Sequence, residues 1–248
     1  AATALLDHGV KLPNTQLPPL IIDALKAELP QLVPRILAAA AVLPNLGDSN
    51  AKVTEWTPLM YAAKSGDVAA LDAVIQAGAP LDATERSGGT PLMVAVQYGQ
   101  ASAVQRLLDA GAPTESCDKQ GWSAMLWAAQ CGELAIVQAL LSRGAALEST
   151  GGSALLVAVE NGRCEVVDAL LDAGAAVDVR DAQGWTPLAV AAASGNARLI
   201  RLLLARGSLP RQRYGASGRT PLMAAAQGGH LAAVELLLGA GAGEVALL

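Results

Sequence analysis

The chain has 248 residues, 52% of them apolar and 16% charged, with a formal net charge of −5. So apolar a composition excludes a disordered, solvated polymer, and the acidic balance gives no general attraction for nucleic acid or an anionic membrane. Mean hydropathy is high at +0.37, but the excess is alanine. The apolar run from Ile36 to Leu43 is far shorter than the ~20 residues of a spanning helix, so no membrane insertion is expected. Seven aromatics, four Trp and three Tyr with no Phe, leave Leu, Val, Ile and Ala to build the interior, which suits thin layers. Cys117, Cys131 and Cys164 are odd in number and have no disulfide or metal-ligand spacing. A reducing, cytoplasmic setting is expected, since no secretory signal is visible at Ala1-Ala2-Thr3. Alanine-rich, lysine-poor usage points to a GC-rich bacterial source.

In chain order, the first element is Leu5-Leu6-Asp7-His8-Gly9, a helix end closed by glycine. A pair of helices follows between Pro18 and Val42, with Pro30 in the turn and Pro34 in the first turn of the second helix, where proline is tolerated. Pro44, Asn45, Gly47, Asp48, Ser49 and Asn50 then form a turn-rich link, expected to be a mobile loop. Beyond it the chain repeats. Thr57-Pro58-Leu59, Thr90-Pro91-Leu92, Ser123-Ala124-Met125, Ser153-Ala154-Leu155, Thr186-Pro187-Leu188 and Thr220-Pro221-Leu222 start at intervals of 33, 33, 30, 33 and 34. Each is followed by a first glycine (66, 99, 132, 162, 195, 229) and, twelve residues later, by a second (78, 111, 144, 174, 207, 241).

Thr or Ser before Pro is an N-cap with its N1 proline, so a helix starts at each triplet. It is short and Ala-rich, as in Met60-Tyr61-Ala62-Ala63, and ends at the first glycine. A second helix with three-and-four spacing, such as Val166, Val167, Leu170 and Leu171, ends at the second. A lone hairpin of this kind cannot bury its apolar face, so neighbours must stack. A unit of ~33 residues carrying both glycines, the capping pair and turns such as Asp181-Ala182-Gln183-Gly184-Trp185 resembles the ankyrin repeat. The resemblance covers Ala51 to Gly243 as six units and implies an all-α solenoid of stacked helical hairpins joined by β-turn or hairpin loops. Residues 1–50 are then a partial and a degenerate unit, and 51–248 hold six repeats continuous with them. The histidine that usually follows Thr-Pro-Leu is replaced by Met60, Met93, Leu126, Leu156, Ala189 and Met223.

Catalysis is not expected. The two histidines, His8 and His230, lie about seven units apart, and at ~8–10 Å per stacked helix they cannot share a site. Neither Cys117 nor Cys131 has a histidine neighbour in the chain, and Cys164 falls at an apolar core position. Ser87-Gly88-Gly89-Thr90 lacks the lysine of a phosphate loop and falls at a turn. No metal or cofactor is expected. Asp168 and Asp172, one helical turn apart, are expected on a solvated face, and Asp118 and Asp181 should hydrogen-bond their own turns.

Two features point to a partner. Trp56, Trp122 and Trp185 stand just before the capping Thr or Ser in alternate units, with Tyr61, Tyr98 and Trp127 in or at the ends of first helices. The resemblance implies that hairpin tips and first helices line a concave groove, where such rings anchor a bound protein; the competing role is packing on the adjacent hairpin. Residues 182–234 hold six Arg and no acid, and Arg211, Arg213 and Arg219 are candidates to meet an acidic patch. The expected function is a protein-binding module. The alternatives are a scaffold segment packing on flanking domains of a larger protein, or the substrate-recruiting part of a multidomain enzyme.

Overall fold

A computed structural model describes residues 17–27, 29–38 and 56–243, and they form fourteen α-helices and one two-stranded ladder. The expected helix end at Leu5–Gly9 and the link from Pro44 to Asn50 lie outside the described residues. Helices α1 (Leu17–Lys26) and α2 (Leu32–Ala38) form the first hairpin, with Pro30 in its turn. They are followed by α3 (Pro58–Ser65) and α4 (Val68–Gln76), α5 (Pro91–Gln97) and α6 (Ala101–Asp109), and α7 (Ala124–Cys131) and α8 (Leu134–Ser142). Strands β1 (Glu148–Ser149) and β2 (Gly152–Ser153) come next. Then follow α9 (Ala154–Glu160) and α10 (Cys164–Asp172), α11 (Pro187–Ala193) and α12 (Ala197–Ala205), and α13 (Pro221–Gln227) and α14 (Leu231–Gly239).

First helices pack on first helices from α1 to α13 and second helices on second helices from α2 to α14, giving two layers. Alanine makes this close stacking possible: Ala62, Ala63, Ala95, Ala128, Ala129, Ala158, Ala191, Ala192 and Ala225 are fully buried. Between the layers lie Leu59, Leu71, Leu92, Leu107, Met125, Ile136, Leu155, Leu170 and Leu203, one apolar rung after another. Where histidine was missing, Met60, Met93, Leu126 and Ala189 fill the space and are buried, whereas Met223 in the last repeat is half exposed.

The expected caps form at Thr57, Thr90, Ser123, Thr186 and Thr220, each hydroxyl accepting from the N–H three residues on. Ser153 departs from this. The shortened connection before it is pulled into the β1–β2 ladder, with Glu148 opposite Ser153 and Ser149 opposite Gly152, and its side chain makes no cap bond. All twelve expected glycines have positive φ, from 66° at Gly99 to 94° at Gly174. A less visible role of the first glycine is to leave room for the next repeat: a Cβ on Gly132 would meet the Arg163 side chain at 2.5 Å.

That neighbour belongs to a polar column at the N-terminal ends of the second helices. Gln100 Nε2 donates to Lys64 O at 3.1 Å and Arg163 Nε to Gln130 O at 3.1 Å, while His230 Nε2 lies 3.0 Å from Ala193 O. Each contact closes a carbonyl left open at the end of the preceding first helix. On the second-helix layer, Arg106 pairs with Asp72, Arg143 with Asp109, and Arg206 with both Asp168 and Asp172. Asp168 and Asp172 are thus not merely solvated, as their spacing suggested, because an arginine one repeat later reaches back to them. The same pairing removes Arg206 from the basic end, and Arg198 lies 3.7 Å from Glu165.

Candidate functional site

The hairpins that carry Trp122 and Trp185 are built by their aspartates. Asp118 Oδ1 accepts from Gln120 N and Trp122 N, both at 2.9 Å, and Asp181 Oδ1 accepts from Gln183 N at 2.9 Å and Trp185 N at 2.7 Å. A side-chain acceptor bridging two amides of the same turn fixes the turn and with it the direction of the following ring. Adjacent hairpins are also tied together by backbone bonds, Lys119 N to Ser87 O, Gly151 N to Gly121 O and Gly215 N to Gly184 O.

The six aromatic candidates fall into three groups on the hairpin and first-helix side. Trp56 lies 5.3 Å from Tyr61 and meets Tyr98 edge-on at 6.0 Å between centroids. Lysines complete this group: Lys64 Nζ sits 5.0 Å from the Tyr98 ring and Lys26 Nζ 5.4 Å from that of Tyr61. Trp122 and Trp127 pack at 4.8 Å, and the Trp127 indole N–H donates to Asp118 Oδ2 at 3.1 Å. Trp185 packs at 4.5 Å on Tyr214 of the next repeat. Except for Tyr98, which is 46% exposed, the candidate rings are half-buried against the core. They therefore both pack on neighbouring hairpins and present a face outward.

Tyr214 was absent from the sequence-derived candidates. It is 2% exposed, with a hydroxyl that no group among the described residues satisfies, and burial pushes its phenol upward against the opposing pull of Arg219. Its signal was present in the irregular stretch Ser208 to Tyr214, where one extra residue lets Tyr214 pair with Arg219 and swing under Trp185. The three arginine candidates cluster around that hairpin and each donates within the chain. Arg211 Nε reaches Gly241 O at 2.6 Å, Arg213 Nη1 reaches Gly218 O at 2.9 Å, and Arg219 bonds Gln227 Oε1.

Beside Trp185 is a cleft of about 480 Å³, lined by Glu160, Asp181, Gln183, Trp185, Val190, Ala193 and Ser194. Burial, and then the nearby Asp181, raise the Glu160 carboxyl above its ordinary value. Burial and Glu133 raise Cys131, with Arg163 opposing, which disfavours the thiolate; Cys117 is exposed, and Cys164 packs partly buried on the core. Among the described residues no His, Cys, Asp or Glu group could hold a metal ion, and no helix is long and apolar enough to cross a membrane.

Hairpins of two antiparallel helices, stacked in two layers at a fixed interval, define a helical repeat array. The family model for ankyrin repeats matches three times, at residues 20–116, 92–181 and 155–245, and the chain belongs to the ankyrin-repeat family. Among solved structures it is similar to the crystal structure of the human ASB11 ankyrin repeat domain, 28% identical with a TM-score of 0.69, over 75% of this chain and 84% of that one. No curated protein matches the chain. Ankyrin repeats are general protein–protein interaction modules.

Proposed function

We propose that the chain binds another protein across the groove formed by its hairpins and first helices. The observation that carries this is the distribution of aromatic rings. The groups Trp56/Tyr61/Tyr98, Trp122/Trp127 and Trp185/Tyr214 all fall on that side, and no second helix among the described residues carries an aromatic. Rings already held by neighbours lose little freedom on binding, which suits them to anchor a partner. Arg211, Arg213 and Arg219 border the last of these groups and would steer an acidic segment toward it. A second mode, docking of the C-terminal repeat onto flanking structure of a larger protein, draws support from the exposure of Met223 (50%), Leu231 (69%) and Leu238 (48%).

The test uses the purified array as bait, compared with Tyr98→Ala, Trp122→Ala and, on the opposite layer, Gln105→Ala. Loss of a centrally placed ring should weaken the partner by about 2 kcal/mol or more. Tyr98 is the cleaner probe because, at 46% exposed, it is the least buried of the candidate rings. A partner retained by Tyr98→Ala and Trp122→Ala but lost with Gln105→Ala would overturn the assignment, as would binding unaffected by salt for the arginines.

A further inference from the structure

The cleft beside Trp185 has a counterpart in the repeat that carries Trp122, and there the space is filled. Aligned on their caps, Ser123 and Thr186, the two repeats place Asp118 with Asp181, Trp122 with Trp185, and Trp127 with Val190. In the first, Trp127 lies against Trp122 and its indole N–H occupies Asp118 Oδ2. In the second, Val190 leaves the volume open, and among the described residues no donor reaches the second oxygen of Asp181. A further difference is charge. Glu160 lines the cleft from the end of α9, where the other first helices carry Lys64, Gln97, Gln130, Ala193 and Gln227. Neither Glu160 nor Asp181 has a Lys or Arg partner among the described residues.

We infer that this cleft takes an arginine side chain of the bound protein. The chain's own filled counterpart specifies the occupant: a flat group lying on a tryptophan, with an N–H directed at the free oxygen of the hairpin aspartate. Two carboxylates without a counter-charge add the requirement that it be cationic. A guanidinium meets all three conditions, with its plane against the indole and its fork of donors toward Asp181 and Glu160. The upward displacement of the Glu160 carboxyl by burial and by Asp181 agrees with a site whose charge is balanced only when occupied. The assignment rests on the groove function proposed above and names the chemistry of one contact within it.

The test is direct binding of N-acetyl-arginine amide to the whole chain, followed by the NMR signal of the Trp185 indole N–H, identified with Trp185→Phe. A saturable shift is expected, weakened about fivefold or more in Glu160→Gln. Val190→Trp, which rebuilds the filled counterpart, should fold with an unchanged circular dichroism spectrum and lose the response. N-acetyl-citrulline amide, equal in shape but neutral, should leave the signal in place. The assignment is overturned if arginine does not move the Trp185 resonance, if citrulline moves it equally, or if N-acetyl-lysine amide binds as well as arginine. The two proposals fail separately. A partner held by the aromatic groove and indifferent to Val190→Trp removes the arginine contact alone, whereas an arginine response in a chain whose groove variants retain every partner removes the groove.

Discussion

Asp118→Ala offers a quantitative check on how the hairpins are held. Three donors converge on this carboxylate, the amides of Gln120 and Trp122 on Oδ1 and the Trp127 indole on Oδ2, at 2.9, 2.9 and 3.1 Å. The residue is 8% exposed, so water would replace these bonds only in part. Hydrogen bonds to a charged acceptor contribute roughly 1.5–3 kcal/mol each, and part of that returns as the turn re-solvates, so a loss of about 3 kcal/mol is expected. Asp181→Ala removes two such bonds from a more accessible turn, and about 1–1.5 kcal/mol is expected there. The measurement is urea unfolding of both variants by circular dichroism and tryptophan fluorescence. Trp127→Phe alone and combined with Asp118→Ala isolates the indole bond, with a coupling of about 1 kcal/mol expected. Equal losses for Asp118→Ala and Asp181→Ala, or no coupling, would refute the claim that the Trp127 indole is part of the hairpin's support.

Gly121 has φ 81°, and a Cβ there would meet the backbone N of Gly151 at 2.7 Å, whereas Gly111, with φ 90°, has open space around it. Gly121→Ala should therefore cost clearly more than the ~1 kcal/mol of backbone strain that Gly111→Ala pays, read as urea midpoints. Arg206→Ala breaks its ion pairs with Asp168 and Asp172; these are surface pairs, so only a small loss of stability, shrinking as salt rises, is expected in thermal melts. Glu160 has a folded-state pKa above its unfolded value, so the folded state binds the extra proton and this group's contribution to stability declines as pH rises through the carboxylate range. Glu160→Gln should flatten that decline, and a variant melting profile parallel to the parent's from acid to neutral pH would contradict it.

The repeat interval, the caps and the glycines were legible because each is a local requirement, met by residues within one hairpin. The departures arise between hairpins. Ser153 has the sequence of a cap but not its bond, because three missing residues draw it into a ladder with Glu148. Arg206 looked like part of a free basic end, yet its partners Asp168 and Asp172 lie 38 and 34 positions earlier. Nothing in either helix alone shows that they meet. Tyr214 escaped notice as the support of Trp185 for the same reason, since the contact crosses from one repeat to the next. The cleft at Trp185 was partly readable: Val190 in the place of Trp127 is visible once the repeats are aligned, but an emptied volume has meaning only after its filled counterpart is seen in three dimensions.

Whether the tryptophans serve stacking or binding can be argued from the array itself. Their place before the cap is taken by Gly89, Gly152 and Arg219 in the remaining repeats, and the place of Tyr61 and Trp127 by Val94, Val157, Val190 and Ala224. Those repeats stack with the same helix pairings and the same glycine geometry, so the fold does not require an aromatic at either position. What stacking does require is supplied elsewhere, by the buried alanines, the polar column at the second-helix starts and the arginine–aspartate pairs of the second-helix layer. The rings support their own hairpins, as the Trp127 bond to Asp118 does, but stacking elsewhere manages without them, and the apolar face they leave outward is the kind of surface a bound protein covers. The groove function proposed above, a protein bound along the hairpin side, would supply that covering.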